Sequence, residues 1–276
     1  METSLEKPAA GPAIDEAEIA EYEQKGAVCL RGLFDEYWID RLRSAVENRI
    51  ALARSRPSKK AAHASFTDLF MWQEDRDFRD FVFDSPAAAI AKTMMRSRSV
   101  RFYFDQLFVK EPQTAAPSPW HHDQPFWPVS GNQVCSIWLA LDPVTKASSG
   151  LEYVAGSHLW GKRFKPGPVP PIPGFDGDED VTPDIEAERD MHEFLNWDME
   201  PGDCLVHHGL TMHGAGGNTT IAVRRRAHAT RWLGDDATYR AGGGHEPLKV
   251  DGLQTGDAFP ADRFPPVSAP SLLNRG

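Results

Sequence analysis

The sequence has few cysteines and no long hydrophobic run. Its 276 residues include 3 cysteines, Cys29, Cys135 and Cys204, an odd number with no CxxC spacing. All three lie in apolar, strand-like segments, so we expect reduced thiols in the core. No stretch of about 18 apolar residues occurs, and the acidic N-terminus lacks the apolar segment of a signal peptide. These absences predict no membrane span and a cytoplasmic location.

The chain also has little positive charge. Its formal net charge is -10, and its tightest basic run, Arg224-Arg225-Arg226, lies inside a strand-like segment. Nucleic-acid-binding domains usually carry a basic surface, so we exclude nucleic acid as a partner and expect a small-molecule ligand. The composition, 41% hydrophobic and 25% charged, is that of a globular protein with a sizeable core.

The spacing of apolar residues changes near residue 99. Before it, the pattern predicts helices that begin after Asp15, Asp35 and Ser85-Pro86, the first of them ending at Gly26. After it, short segments with a period of two predict strands. In the first of these, five residues are expected on one face: Val100, Phe102, Phe104, Gln106 and Phe108. This order predicts a mainly β fold, a two-sheet core with flanking helices.

The chain divides into one domain with loose ends. Residues 1–12 are rich in Pro, Ala and Gly and are predicted to be a loose N-terminus. Residues 13–257 are predicted to form a single domain, and residues 258–276 a C-terminal tail. An insertion at about 165–193, rich in Pro and Gly and then acidic, is expected to be a lid over the active site, with a disordered surface insertion as the alternative. Its apolar part, "PVPPIPGF", is expected to face the pocket.

Two histidines and an aspartate are adjacent in "PWHHDQPFW", residues 119–127. On an extended segment, His121 and Asp123 lie on one side and His122 on the other. A neutral imidazole and a carboxylate are suitable ligands for a divalent metal such as Fe(II). Two ligands do not complete such a site, so a third is expected from elsewhere in the chain.

Three histidines in "GDCLVHHGLTMHGAGGN" are candidates for the third ligand: His207, His208 and His213. The first two lie in an apolar strand run, which favours a structural or supporting role. His213 is followed by glycines that let the backbone and small molecules approach closely. We therefore predict a metal site at His121, Asp123 and His213. Two histidines and one carboxylate leave open positions on the metal, as is typical of non-haem Fe(II) oxygenases.

The segment "VRRRAHATRW" predicts a strand with arginines on both faces. Arg225, Ala227, Ala229 and Arg231 share one face. A guanidinium above small residues can grip a carboxylate through two parallel hydrogen bonds. Arg224 and Arg226 lie on the other face, which fits surface arginines on an edge strand.

Together these segments resemble the phytanoyl-CoA dioxygenase family, Fe(II)- and 2-oxoglutarate-dependent oxygenases. The matching segments follow the family order from about residue 100 to residue 232: "FYFDQLFVKEP", "PWHHDQPFW", "SIWLALDPV", "SGLEYVAGSH", "PGDCLVHHGLTMHGAGGN" and "RRAHATRW". The resemblance implies a double-stranded β-helix, the jelly-roll core also found in cupins. It also implies Fe(II) as cofactor, with 2-oxoglutarate and O2 as cosubstrates.

The resemblance also assigns roles to single residues. It implies that His121, Asp123 and His213 are the metal ligands. It implies that Arg225 pairs with the far carboxylate of 2-oxoglutarate, whereas counting from His213 indicates Arg224. Two further residues are implied near the cosubstrate, the packing aromatic Trp138 and Gln106. Aromatic residues near the ligand segments are candidates to line the substrate cavity: Phe126, Trp127 and Trp160.

The implied reaction oxidises a small organic substrate, most simply by hydroxylation, and releases succinate and CO2. Halogenating relatives lack the carboxylate ligand, so Asp123 favours hydroxylation or a related oxidation. Two alternatives stay open. One is a cupin-like metal-dependent isomerase or hydrolase, which needs no arginine for a cosubstrate. The other is a non-catalytic ligand-binding relative.

Overall fold

The computed structural model describes residues 13–55, 65–165, 180–242 and 244–274. The predicted loose N-terminus, residues 1–12, lies outside the described residues, as does 166–179, the centre of the predicted insertion. No helix in the described part is long and apolar enough to cross a membrane. The three cysteines are free thiols; Cys135 and Cys204 are buried and Cys29 is partly buried.

The α-helices of the described residues all precede the long strands. Their bounds are α1 (Glu16–Lys25), α2 (Glu36–Ser55), α3 (Met71–Glu74), α4 (Arg76–Asp84) and α5 (Ala87–Met94). The Asp15 side chain accepts a hydrogen bond from the backbone N–H of Glu18, and Gly26 ends α1 with φ 80°. Asp35 caps α2 in the same way through the N–H of Trp38. The helix starts predicted from capping residues are confirmed.

Short strands make up most of the remaining fold. Their bounds are β1 (Ala27–Leu30), β2 (Ser65–Leu69), β3 (Val100–Lys110), β4 (Ser118–His121), β5 (Val129–Ser130), β6 (Val134–Ala140), β7 (Leu151–Val154), β8 (Phe194–Leu195), β9 (Cys204–His208), β10 (His213–Ala215), β11 (Arg225–Leu233), β12 (Thr238–Tyr239) and β13 (Pro266–Val267). Glu200 to Asp203 form a tight turn before β9, with Gly202 at φ 96°.

Two antiparallel sheets form the core. The larger sheet has the order β1-β9-β6-β11-β3-β13, with β2 also paired to β3, and the smaller has the order β4-β10-β7-β8. Neighbouring strands are mostly distant in sequence, which is the crossover pattern of a jelly roll. The prediction of a mainly β, double-stranded β-helix fold with flanking helices is confirmed.

The strand β6 shows how the core is divided into two layers. Ile137 and Leu139 face the helices and belong to one apolar cluster with Leu42 and Val46 of α2. Trp138 and its neighbours at every second position face inward, between the sheets. Both faces are therefore buried, and the inward face of the larger sheet is where a site can form.

The strand β3 contains an irregularity that the sequence pattern does not show. Trp232 of β11 pairs with Phe102 and Arg231 pairs with Phe104, which leaves Tyr103 as an extra residue. Such a bulge reverses the alternation of side chains. Phe102 therefore packs toward the helices, whereas Phe104 lines the inner cavity. The predicted common face of β3 is correct after the bulge and wrong before it.

The C-terminal residues belong to the same domain. Phe259 and Phe264 are buried in one aromatic cluster with Tyr103. The strand β13 pairs with β3, and the backbone N–H of Ile14 donates to the carbonyl of Leu272. The predicted boundary at residue 257 and the separate tail 258–276 do not correspond to a structural break in the described chain.

The described ends of the predicted insertion pack on the smaller sheet. The backbone N–H of Lys165 donates to the carbonyl of Asp180 at 2.8 Å, so these two flanking residues lie side by side. Arg189 forms a salt bridge to Glu152 of β7 at 2.6 Å. None of the described residues 180–193 lines the inner cavity. The "PVPPIPGF" segment lies outside the described residues, so the lid stays a prediction.

Candidate active site

A cavity of about 390 Å³ lies between the two sheets. The larger sheet contributes side chains of β3, β6, β9 and β11, and the smaller sheet contributes Ser118, His121, Leu151 and His213. Residues from β2 and from the segment 245–248 complete the lining. About half of the lining side chains are aromatic or aliphatic, and the others are polar or charged. Apolar walls with convergent polar groups are a common feature of small-molecule sites.

His121 and His213 face each other across paired strands. They are direct partners in the antiparallel register of β4 and β10, and their ring centroids lie 4.2 Å apart. The Nδ1 atom of His121 lies 2.7 Å from the carbonyl of Pro119, and that of His213 lies 2.9 Å from the carbonyl of Thr211. Donation from Nδ1–H to these carbonyls leaves each Nε2 with a lone pair for a metal.

Asp123 completes the group. Its Oδ1 atom lies 3.7 Å from His121 Nε2 and 3.8 Å from His213 Nε2. The three ligand atoms lie within 4.8 Å of one another. Asp123 itself is not extended, with φ -73° and ψ -49°, because β4 ends at His121. The two side chains thus meet as expected, although the backbone between them turns.

A hydrogen-bonded chain holds the second oxygen of Asp123. Its Oδ2 accepts from the Ser136 hydroxyl at 2.7 Å and from His207 Nε2 at 3.1 Å. The Tyr153 hydroxyl donates to His207 Nδ1 at 3.1 Å. Burial acts to raise the pKa of Asp123, but contacts with His121 and His207 hold it well below its usual value. Asp123 is therefore a carboxylate with one oxygen directed at the two histidines.

His213 and His122 are both buried but have different environments. Burial, followed by the proximity of His121, lowers the pKa of His213, which keeps its imidazole neutral as a ligand must be. His122 is also buried, with its ring 5.0 Å from that of Phe164, and neither ring nitrogen has a hydrogen-bond partner in the described chain. Burial lowers the pKa of His122 to about 3. The ring of His122 thus packs against Phe164 and is not part of the group formed by His121, Asp123 and His213.

The residues present fit a divalent iron ion. Two neutral imidazole nitrogens and one carboxylate oxygen converge from one side, and the cavity lies on the other. This donor set leaves coordination positions for small ligands, which is the arrangement of non-haem Fe(II) oxygenases. The hydrogen bonds to Asp123 and to both Nδ1 atoms provide the outer support that such ligands normally have.

Arg225 also lines this cavity, and its guanidinium is only partly hydrogen-bonded. Its residue surface is 2% exposed, and its guanidinium lies 5.3 Å from the centre of the Trp138 ring. Its hydrogen bonds to Phe108 O and Ser149 Oγ are long, 3.5 and 3.4 Å, and its Nε has no partner in the described chain. These donors fit the far carboxylate of 2-oxoglutarate.

Arg224 has a different environment. It pairs with Glu111 at 2.8 Å and with Glu47 at 2.9 Å, away from the cavity. Arg226 likewise pairs with Asp142 at 2.7 Å. The predicted alternation of the arginines is confirmed by these contacts. The predicted edge position is wrong, because β11 lies between β6 and β3 inside the larger sheet.

Most of the predicted site residues converge on this cavity. Besides the three candidate ligands and Arg225, its lining includes Gln106, Phe126, Trp127 and Trp138. Trp160 does not line it. Its ring lies 5.5 Å from that of His192 and 6.0 Å from that of Phe164, on the outer side of the smaller sheet. Trp160 is near the metal-ligand segments in the sequence, but this nearness does not determine which face of the sheet its side chain occupies.

The sequence reasoning missed four polar residues around the cavity: Lys110, Ser136, Tyr153 and Arg231. The sequence contains an indication for Arg231, because strand alternation places its side chain on the same face of β11 as that of Arg225. Lys110 donates to Ser149 Oγ at 2.9 Å, and burial, followed by the proximity of Arg225, lowers its pKa to about 8. Ser136 and Tyr153 had no signal, because their roles depend on contacts between distant strands.

Comparison with known sequences identifies a family and several relatives. The family model "Phytanoyl-CoA dioxygenase (PhyH)" matches residues 22–227. The multifunctional dioxygenase prhA of Penicillium brasilianum is 33% identical over 136 residues, 46% of this chain and 40% of that protein. A probable alpha-ketoglutarate-dependent hypophosphite dioxygenase of Stutzerimonas stutzeri is 27% identical over 59% of this chain and 57% of that protein. Each alignment spans less than two thirds of the relative.

Solved structures share the fold. The non-heme alpha ketoglutarate dependent carbocyclase SnoK from nogalamycin biosynthesis has a TM-score of 0.74 and 23% identity, covering 94% of this chain and 100% of that chain. EctD from S. alaskensis has a TM-score of 0.69 and 17% identity, covering 96% and 91%. The family match extends over most of the sequence and includes all three candidate ligands and Arg225. The chain therefore belongs to the phytanoyl-CoA dioxygenase family, whose oxygenases depend on iron and 2-oxoglutarate.

Proposed function

We propose that this protein is an Fe(II)- and 2-oxoglutarate-dependent oxygenase that oxidises a small organic substrate and releases succinate and CO2. One observation carries the proposal. Three convergent metal-ligand atoms line one cavity together with a buried arginine that forms no salt bridge to a carboxylate among the described residues. A metal-dependent isomerase or hydrolase of similar fold has no need for such an arginine, and a non-catalytic relative has no need for either feature.

The protein side chains fix the metal's orientation. His121, Asp123 and His213 would hold the ion through Nε2, Oδ1 and Nε2, so that its remaining positions face the cavity. Iron with bound 2-oxoglutarate and O2 supplies the oxidising chemistry. Ser136 and His207 hold Asp123 in place through Oδ2, which keeps Oδ1 directed at the metal position. The ligand geometry is thus set before any ligand arrives.

Arg225 would orient the cosubstrate. Its guanidinium is held above Trp138 and beside Ser149, so its free donors are fixed in direction. A planar guanidinium can bind a carboxylate through two parallel hydrogen bonds. The buried setting strengthens this pairing because little water screens the charges.

The nature of the oxidation is a finer part of the proposal. The named relatives and structural neighbours include dioxygenases, a carbocyclase and an epimerase. Hydroxylation is the simplest outcome and the one we propose, since Asp123 fills the position that a halide takes in halogenating relatives. Aromatic side chains such as Phe126 and Trp127 would exclude water from the reacting centre. The cytoplasmic location stays a prediction.

Iron binding tests the proposal directly. Purified protein is loaded with Fe(II) and 2-oxoglutarate without oxygen, and the metal-to-ligand absorption band and iron content are measured. Replacing His121 or His213 by Ala should remove the band and most of the iron. His122→Phe is the matched control: it retains the apolar contact with Phe164 and should bind iron normally. A wild-type protein without the band, or iron loss confined to His122→Phe, would contradict the proposal.

A further inference from the structure

A second arginine faces the same cavity and has no role so far. Arg231 lies six positions after Arg225 on β11 and is 4% exposed. Its Nη1 donates to Ala229 O at 3.1 Å and its Nη2 to Gln106 Oε1 at 3.0 Å. Its Nε has no hydrogen-bond partner, and no carboxylate in the described part of the chain forms a salt bridge with it. Two of its five N–H groups are used. The charges of Asp123 and Asp105 act on the buried guanidinium, but neither carboxylate lies within salt-bridge distance of it.

Aromatic rings pack against the Arg231 side chain, but they do not neutralise its positive charge. Its guanidinium carbon lies 5.0 Å from the centre of the Phe104 ring and 6.0 Å from that of Trp127. Such cation–π contacts stabilise the cation only partly. An aromatic face does not replace a carboxylate as the partner of a desolvated guanidinium. Buried charges in proteins are normally paired, so the missing partner is expected from a ligand.

The sheet register places Arg231 beside the metal centre. Arg231 pairs with Ser136 of β6, and Ser136 pairs with His207 of β9. Ser136 and His207 are the two residues that hold Asp123. Arg225 is six residues away, roughly 20 Å along the strand. The two side chains extend toward each other, because Arg225 contacts Trp138, and Arg231 contacts Ala229 O and Gln106, the two residues that pair in the sheet at the Trp138 level. By strand register, Arg231 is the arginine beside the residues that hold Asp123.

Charge balance also leaves Arg231 without a partner. A divalent metal, the Asp123 carboxylate and doubly charged 2-oxoglutarate together leave one negative charge, which Arg225 neutralises. Lys110 donates to Ala116 O, Ser149 Oγ and Gly216 O, so its ammonium is satisfied by the protein itself. The charge on Arg231 remains for one further anionic group.

We infer that Arg231 binds a carboxylate of the primary substrate, so that the substrate is an apolar molecule carrying one carboxylate near the oxidised position. The aromatic rings of Phe104 and Trp127 next to Arg231, and Phe70 5.7 Å from Phe104, provide contacts for the apolar body. This inference rests on the proposed function, since it takes Arg225 to be occupied by 2-oxoglutarate.

Equilibrium binding to the loaded protein tests the inference without turnover. The probes are aromatic and aliphatic carboxylates, each with its neutral primary amide, beginning with 3-phenylpropionate and 3-phenylpropionamide. Calorimetry is done without oxygen on protein saturated with Fe(II) and 2-oxoglutarate. We expect the best acids to bind wild-type protein at least about tenfold more tightly than their amides, a preference that Arg231→Gln abolishes. Arg231→Lys should keep part of it, because it retains charge but not the planar fork.

Two controls define the result. Arg224→Gln removes an arginine outside the cavity and should leave the acid preference unchanged. The circular dichroism spectrum and thermal unfolding of Arg231→Gln should match those of wild type, which shows that the variant is folded. The inference is overturned if no acid in the panel is preferred, if the preference survives Arg231→Gln, or if this variant mainly weakens 2-oxoglutarate. Loss of the iron and 2-oxoglutarate complex in wild type would instead contradict the proposed function.

Discussion

Removing the Arg225 guanidinium should weaken 2-oxoglutarate binding far more than any substitution outside the cavity. Arg225 is 2% exposed, and the long hydrogen bonds to Phe108 and Ser149 leave its donors available to a ligand. In Arg225→Ala, the far carboxylate of the bound cosubstrate would be buried without its cation. Loss of one member of a buried charge pair costs about 2–5 kcal/mol. At about 1.4 kcal/mol for each factor of ten, this corresponds to a Kd raised roughly 30-fold or more.

The assay is an anaerobic titration of 2-oxoglutarate into the Fe(II)-loaded protein, followed through the metal-to-ligand absorption band. Arg225→Lys should be intermediate, because it keeps the charge but loses the planar fork. Arg224→Ala is the control. Its side chain is 32% exposed and pairs with Glu47 and Glu111, and such surface pairs are worth about 0–1 kcal/mol. A normal titration for Arg225→Ala together with a weakened one for Arg224→Ala would refute this reasoning.

Three further predictions concern the support of the site, its pH dependence and the insertion. Ser136→Ala removes the hydroxyl donor to Asp123, so iron affinity measured by chelator competition should fall about 10–100-fold; an unchanged affinity would show that His207 alone holds the carboxylate. Burial lowers the pKa of His208 to about 4. As pH falls below about 6.5, this imidazole is therefore protonated in the unfolded chain while it is still neutral in the folded protein. Stability should be lost from that pH down to about 4, and His208→Asn, which can still accept from the N–H of Leu210, should flatten the fall in Tm. If the insertion 165–193 is a lid, the bound metal, cosubstrate and substrate should slow its limited proteolysis; an unchanged cleavage rate would contradict the lid.

Local sequence signals were sufficient for parts of the fold that depend on neighbours along the chain. Asp15 and Gly26 delimit α1 because capping needs only the adjacent backbone groups. The long-range features were not accessible in this way. The bulge at Tyr103 depends on how β3 pairs with β11, and the burial of Phe259 depends on packing across the whole domain. A Pro- and Ser-rich composition therefore led to a predicted tail where the chain is part of the core.

The candidate site illustrates the same division. The convergence of His121 with His213 needed a cross-strand register that no single segment contains, and the resemblance to a family supplied it. Predicting which face of the smaller sheet Trp160 occupies needs the same kind of information, and the predicted place in the cavity is wrong. The support of Asp123 by Ser136 and His207 joins segments far apart in sequence, so only the folded sheet could show it.

Strand alternation nevertheless separates chemically identical neighbours, and this is why the sequence was informative about the site. His207 faces inward and donates to Asp123, whereas the ring of the adjacent His208 lies 5.2 Å from that of His158. Arg225 faces the cavity, whereas Arg224 pairs with acidic residues outside it. In each adjacent pair, one side chain belongs to the active-site cavity and the other makes contacts outside it. Inserting or deleting one residue in β9 or β11 would exchange these roles, so the register of the larger sheet is itself a condition for metal and cosubstrate binding.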